Sequence, residues 1–128
     1  MFSQEERLYI LEVEDSFSAA HQLREYRGKC ENLHGHNWRV RLTVSGAELD
    51  RCGMLVDFGD LKRWLREALA RYDHVFLNEV APFEKINPTS ENLARELAAE
   101  LSGKLPGGVL VEAVTVWESE RCRATYRP

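Results

Sequence analysis

The chain has 128 residues, 44% of them hydrophobic, which is enough for a single domain over residues 1–128 with a real core and too few to expect two. A formal net charge of −4 excludes a general attraction to nucleic acid or to an anionic membrane, so any anionic ligand needs a local cluster of cations. No run approaches the roughly 18 apolar residues of a membrane span, the opening MFSQEERLYI is charged where a signal peptide is apolar, and Cys30, Cys52 and Cys122 are odd in number and widely spaced, so a cytoplasmic protein with reduced thiols is expected.

Leu8 to His21 reads as a strand rich in alternating apolar residues. The next stretch, KCENLHGH from Lys29 to His36, places one cysteine and two histidines close together. His34 and His36 are two apart, and side chains two apart on a strand share a face, so both imidazoles aim at one point while Gly35 leaves room. His21 ends the preceding strand and reaches the same point if the two strands pair antiparallel. Three neutral imidazoles leave the fourth position of a tetrahedral Zn²⁺ open for water or substrate. Cys30 is then either the fourth ligand or a free thiol beside the metal, where Zn²⁺ or Lys29 lowers its pKa from about 8.5. A cupin also carries H-x-H on a strand, but Arg39, Val40 and Arg41 stand where it needs an acidic residue.

Asn37 to Gly46 alternates Trp38, Val40, Leu42 and Val44 with polar residues, a second half-buried strand. From Asp57 the period changes: Phe58, Leu61, Trp64, Leu65, Ala68, Leu69 and Tyr72 fall at helical spacing, with Asp57 as N-cap and Asp60 in the position of a capping box. Asp73 and His74 follow, a carboxylate beside an imidazole it can orient. A second helix begins after Pro88, capped by Thr89 or Ser90, with Glu91 at the positive end of the dipole and Leu93, Leu97 and Leu101 as its buried stripe. Val109 to Arg127 gives two more alternating strands that turn near Ser119. There Glu118 falls in register with Leu110, Val114 and Val116 on an apolar face, and a carboxylate so placed needs a partner. The order ββααββ predicts an α+β fold, an antiparallel sheet with both helices on one face and open edges that invite assembly with copies of itself.

Taken together, FSAAH, CENLHGH, GMLVDFGDLK, YDH, NPTSENLA and WES resemble the 6-pyruvoyl-tetrahydropterin synthase family over nearly the whole chain, and within it the bacterial 6-carboxy-5,6,7,8-tetrahydropterin synthase branch. The resemblance implies a T-fold, in which ββααββ units assemble around a central barrel, commonly as a homohexamer with sites between subunits. It implies one Zn²⁺ per subunit on His21, His34 and His36. Cys30 would abstract a proton, and Asp73 and His74 would complete the acid and base machinery from a neighbouring subunit. Glu118 and Glu91 would anchor the pterin, with Thr89 and Ser90 beside them; the 2-amino-4-oxo edge of a pterin offers a carboxylate two adjacent N–H donors. A triphosphate tail needs cations, and Arg24, Arg27 and Lys29 cluster just before Cys30.

The implied reaction converts 7,8-dihydroneopterin triphosphate to 6-carboxy-5,6,7,8-tetrahydropterin, acetaldehyde and triphosphate in queuosine biosynthesis. A 6-pyruvoyl product would need the same residues, and the short chain favours the carboxy product by analogy. A folate-type branch would carry a glutamate in the cysteine segment; here Leu33 precedes His34, and Glu31 directly follows Cys30. A non-catalytic, zinc-stabilised pterin-binding oligomer is the reading from another class. Cys52, Cys122 and the Trp64 stripe read as structural.

Overall fold

The computed structural model describes residues 8–27 and 32–128, so Lys29 and Cys30 lie outside the described residues. Strands β1 (Tyr9–His21), β2 (His34–Gly46), β3 (Val109–Ser119) and β4 (Cys122–Tyr126) form one antiparallel sheet in the order β1-β2-β3-β4. Helices α1 (Phe58–Ala70) and α2 (Ser90–Ser102) lie between β2 and β3 in the chain, so the expected ββααββ order holds. A short 3-10 helix, Leu77–Glu79, which sequence periodicity did not signal, sits between them.

The alternation of the strands decides which face is buried. Register places Phe17 opposite Trp38, Val13 opposite Leu42, Val40 opposite Val116 and Leu42 opposite Val114. All are buried, and against them pack Leu61, Leu65 and Leu69 of α1 with Leu93, Leu97 and Leu101 of α2. Each such leucine contributes about 1.5–3 kcal/mol of transfer free energy. Helix α1 lies against β1, and α2 lies against β3 and β4, so both helices cover one face as the pattern predicted.

Asp57 caps α1 by accepting from the Gly59 N–H at 2.6 Å. Asp60 closes no capping box; its carboxylate pairs with Arg63 at 2.9 Å. Phe58, read as part of the helical stripe, is exposed, because the stripe reaches the core only from Leu61 onward. Trp64 packs half-buried against the core edge. Thr89 caps α2 by accepting from the Asn92 N–H at 3.1 Å.

Strand β3 departs from strict alternation twice. Thr43 faces Ala113 but Val44 faces Val111, so Glu112 is an extra residue, a β-bulge. The bulge overturns the expectation that Leu110 shares a face with Val114 and Val116: Val109 and Val111 are the residues in the core, and Leu110 points to the other side. A second irregularity sits at Glu118, because Trp117 faces Arg123 while Ser119 faces Cys122.

Among the described residues, the opposite face of the sheet carries no helix. Trp117 is covered there by guanidinium groups, Arg39 at 3.9 Å from the ring centre and Arg123 at 5.6 Å, and Arg41 pairs with Glu14 at 2.8 Å. Beyond α1 the chain runs alongside the end of β1, where Ser18 O accepts from His74 N at 2.6 Å and Val75 O accepts from Ala20 N at 3.1 Å. No helix among the described residues is long and apolar enough to cross a membrane.

Candidate metal centre

The same alternation that fills the core carries its last residues past the core edge. Along β2 the inward positions run from Val44, Leu42 and Val40 through Trp38 to His36 and His34; along β1 they run through Phe17 and Ala19 to His21. His21 is paired with His34 across the strands, and Ala19 with His36. On β3 the inward series Val114 and Val116 continues to Glu118, which has no β4 partner in the register and whose carboxylate reaches the imidazoles.

His21, His34, His36 and Glu118 thus place four donor atoms within 4.8 Å of one another. His21 Nε2 lies 2.9 Å from His34 Nε2 and 3.1 Å from Glu118 Oε1, and His36 Nε2 lies 3.4 Å from the same oxygen. His21 is 1% exposed, and the ring of Trp38 meets His21 and His36 edge to face at 4.9 and 5.3 Å, closing the floor of the site.

The tautomers follow from the backbone. A carbonyl only accepts, so the contacts of His21 Nδ1 with Pro88 O at 2.8 Å and of His34 Nδ1 with Asn32 O at 2.9 Å put the protons on Nδ1. In the neutral rings both Nε2 atoms then carry lone pairs that face each other at 2.9 Å, with a carboxylate oxygen alongside. Such a convergence of acceptors is repulsive until positive charge, a proton or a metal ion, lies among them. Zinc bound at about 2.0–2.1 Å in a tetrahedron sets its donors roughly 3.3 Å apart, close to the 2.9–3.4 Å of three of the donor pairs, within a group that spans 4.8 Å at most. The three nitrogens and one oxygen suit that ion, and carbonyl contacts that orient the ligating rings are what such sites use.

Glu118 was expected as a pterin anchor; the structure brings it into the donor group with His21 and His36. The sequence signal that would have found this is its position on the inward face of β3, two residues beyond Val116.

Asp73 and His74 are brought together but not into this group. Asp73 Oδ1 pairs with His74 Nδ1 at 2.9 Å and accepts from the Ser18 N–H at 3.0 Å. The Ser18 N–H bond is the main cause that holds the Asp73 carboxyl below the usual carboxylate range; desolvation, second in size, opposes it, and the contacts with His74 add to the lowering. His74 adopts a positive φ of 57° and projects its side chain 81% exposed. It borders a groove lined also by Ser18, Ala20, Gly35, His36 and Asn37.

The remaining described candidates are not among the four clustered donors. Glu91 is exposed on the first turn of α2, and the Thr89 hydroxyl and Ser90 flank it. Arg27 is exposed, its guanidinium 5.3 Å from the Tyr26 ring centre. Arg24, by contrast, turns inward and donates from Nη2 to Phe83 O at 2.8 Å and Ile86 O at 2.7 Å, so it buttresses a loop. Lys29 and the thiol of Cys30 lie outside the described residues, and Cys52 and Cys122 are exposed free thiols.

The chain is similar to known proteins over nearly its whole length. The profile of the family described as 6-pyruvoyl tetrahydropterin synthase matches residues 10–128. The 6-carboxy-5,6,7,8-tetrahydropterin synthase of Synechocystis is 37% identical over 125 residues, covering 93% of each chain. The 6-pyruvoyl tetrahydrobiopterin synthase of Homo sapiens is 35% identical over 126 residues, covering 88% of this chain and 86% of that one. The structure of Caenorhabditis elegans 6-pyruvoyl tetrahydropterin synthase superposes with a TM-score of 0.78 at 31% identity, covering 100% of this chain and 99% of that one. The fold is therefore the T-fold that the sequence motifs implied.

Proposed function

The chain belongs to the 6-pyruvoyl tetrahydropterin synthase family, and on that premise we propose that it is a zinc-dependent carbon-carbon lyase of queuosine biosynthesis. Its substrate is 7,8-dihydroneopterin triphosphate, which with water gives 6-carboxy-5,6,7,8-tetrahydropterin, acetaldehyde and triphosphate. The dihydropterin ring gains the electrons that the side-chain carbon loses in becoming a carboxylate, so no external redox partner is needed. The likeness to a synthase named for the 6-carboxy product supports this product. The observation that carries the metal chemistry is the facing pair of Nε2 atoms with Glu118 Oε1 beside them.

His21, His34 and His36 hold one Zn²⁺ per chain, which when bound supplies Lewis acidity toward the side-chain hydroxyls of the substrate. Cys30 takes the proton whose transfer tautomerises ring and side chain. His74 moves the second proton at Nε2, with Nδ1 held by Asp73. We place that pair, whose imidazole is exposed and which is not among the four clustered donors, at the site of a neighbouring chain in a cytoplasmic homohexamer formed by this single domain, residues 1–128. Glu118 accepts from the pterin N–H edge with the oxygen not turned to the imidazoles, and Glu91, Thr89 and Ser90 border the ring. Arg27 and Lys29 meet the triphosphate.

The deciding experiment incubates the zinc-loaded protein with 7,8-dihydroneopterin triphosphate and identifies the products by mass spectrometry. Acetaldehyde with 6-carboxytetrahydropterin is expected. A 6-pyruvoyl product without acetaldehyde, the outcome favoured by the likeness to the human and nematode synthases, would keep the site and change the reaction. Unchanged substrate would leave a zinc-stabilised pterin-binding oligomer. Cys30→Ala separates catalysis from ligation: zinc content is expected to stay while turnover falls by orders of magnitude.

A further inference from the structure

Resting on the metal reading above, we propose that Asn78 and Asn87 are positioning residues of the metal centre, which hold the chain leaving β1 so that the ring of His21 keeps its ligating orientation. His21 is the last residue of β1, and the strand ladder that fixes residues before it stops there. Beyond it the backbone is held by side chains. Asn78 Oδ1 accepts from Gln22 N at 2.9 Å while Asn78 Nδ2 donates to Gln22 O at 2.7 Å. Asn87 repeats the pattern on Arg24, accepting from its N–H at 2.8 Å and donating to its carbonyl at 2.9 Å. Each carboxamide offers the donor and acceptor of a peptide group, and each supplies the pair of bonds that a neighbouring strand would otherwise make.

The same segment also orients the ring itself. Pro88, next to Asn87, supplies the carbonyl that takes the proton of His21 Nδ1. The position of that carbonyl is in turn fixed, because Asn87 O accepts from Thr89 N at 2.9 Å and from Asn92 Nδ2 at 2.8 Å. The two carbonyl contacts of the Arg24 guanidinium close the intervening loop. His21 is thus gripped on its backbone side by Asn78 and at its ring by the residue after Asn87. A hydrogen bond that orients a ligating imidazole contributes to metal affinity as well as to folding.

The test uses the full chain stripped of metal by chelation. Zinc affinity is measured by competition titration, ligand geometry by the visible bands of the Co²⁺ form, and stability by thermal melting of the metal-free protein. Asn78→Ala and Asn87→Ala are each expected to raise the zinc Kd about tenfold or more and to alter the Co²⁺ bands. Leu61→Val, a buried core change on α1, lowers the melting temperature but leaves the zinc Kd and the Co²⁺ bands unchanged. Asn78→Asp and Asn87→Asp keep the acceptor but set a carboxylate oxygen against the Gln22 or Arg24 carbonyl; they decide the matter if an alanine variant does not fold, because a raised Kd is the opposite of what their added negative charge alone would give and so supports the proposal. A zinc Kd within about twofold of wild type, with unchanged Co²⁺ bands, in folded variants would overturn it while leaving the metal reading intact. Failure of the unsubstituted protein to bind zinc would instead remove the metal reading and the proposal with it.

Discussion

His21, His34 and His36 are strand residues on the helix-covered face, and His21 is 1% exposed; His74 projects from a turn with its side chain 81% exposed. The first three are fixed by a sheet register that also builds the core, so their convergence follows from folding. His74 is fixed by local means: the Ser18 carbonyl on its N–H and the Asp73 carboxylate on its ring. A preorganised group of acceptors suits an ion, whereas an exposed imidazole with one nitrogen held and the other free suits proton transfer to a group arriving from outside its own chain.

The strongest way to break this contrast is to remove a ligand. His34→Ala is expected to take the metal content from about one ion per chain to nearly none and to abolish turnover, as read by elemental analysis beside the product assay. His74→Ala should do the reverse in part, leaving metal content unchanged while turnover falls about 10²–10⁴-fold.

Mixing the two variants sharpens the contrast further. If the pair serves a neighbouring chain, co-assembled His34→Ala and His74→Ala chains regain part of the lost activity, because some sites then draw an intact donor group from one chain and an intact imidazole from the other. Absence of any recovery in verified mixed assemblies would place His74 in its own chain's chemistry.

The smallest effect concerns acid. The Asp73 carboxyl titrates below its ordinary value because the Ser18 N–H and His74 favour its charged form. Its contribution to stability is fully present above the unfolded value of about 3.9 and is lost as the pH falls through the lower folded value. The melting-temperature gap between wild type and Asp73→Asn should therefore be constant above about pH 5 and close below about pH 4. A gap that persists at the lowest pH would trace the effect to neutral hydrogen bonding.

The strands, helices and caps were legible because each rests on a local rule: the period of two that places Trp38, Val40 and Leu42 on one face, the helical spacing of Leu61, Leu65 and Leu69, and the cap at Asp57. The three histidines were legible for the same reason, since spacing within β2 and antiparallel pairing with β1 suffice to join them. Glu118 was legible as an inward carboxylate two residues beyond Val116, but not as a member of the donor group, because which strand lies beside the histidines is set by the long-range pairing of β2 with β3. Nor were the Asn78 and Asn87 contacts, which span 56 and 63 residues of chain and carry no periodic signal. Arg24 looked like part of a basic cluster because charge is read from sequence before its partners are known; two distant carbonyls claim it.

The bulge at Glu112 has the effect of a suppressed frameshift. An unbroken alternation through β3 could keep either Val109 and Val111 or Val114 and Val116 inward, but not both, and the extra residue lets the strand satisfy the two halves in different phases. Deleting Glu112 should accordingly be absorbed, since the shortened strand alternates correctly throughout and still delivers Glu118 to the histidines. One alanine inserted after Thr115 meets no such absorber before the donor group; it would put Glu118 out of phase and strip the carboxylate from the site with no ligand substituted. Tolerance to changes in chain length is therefore concentrated at one point of β3, upstream of the residues whose phase the chemistry depends on.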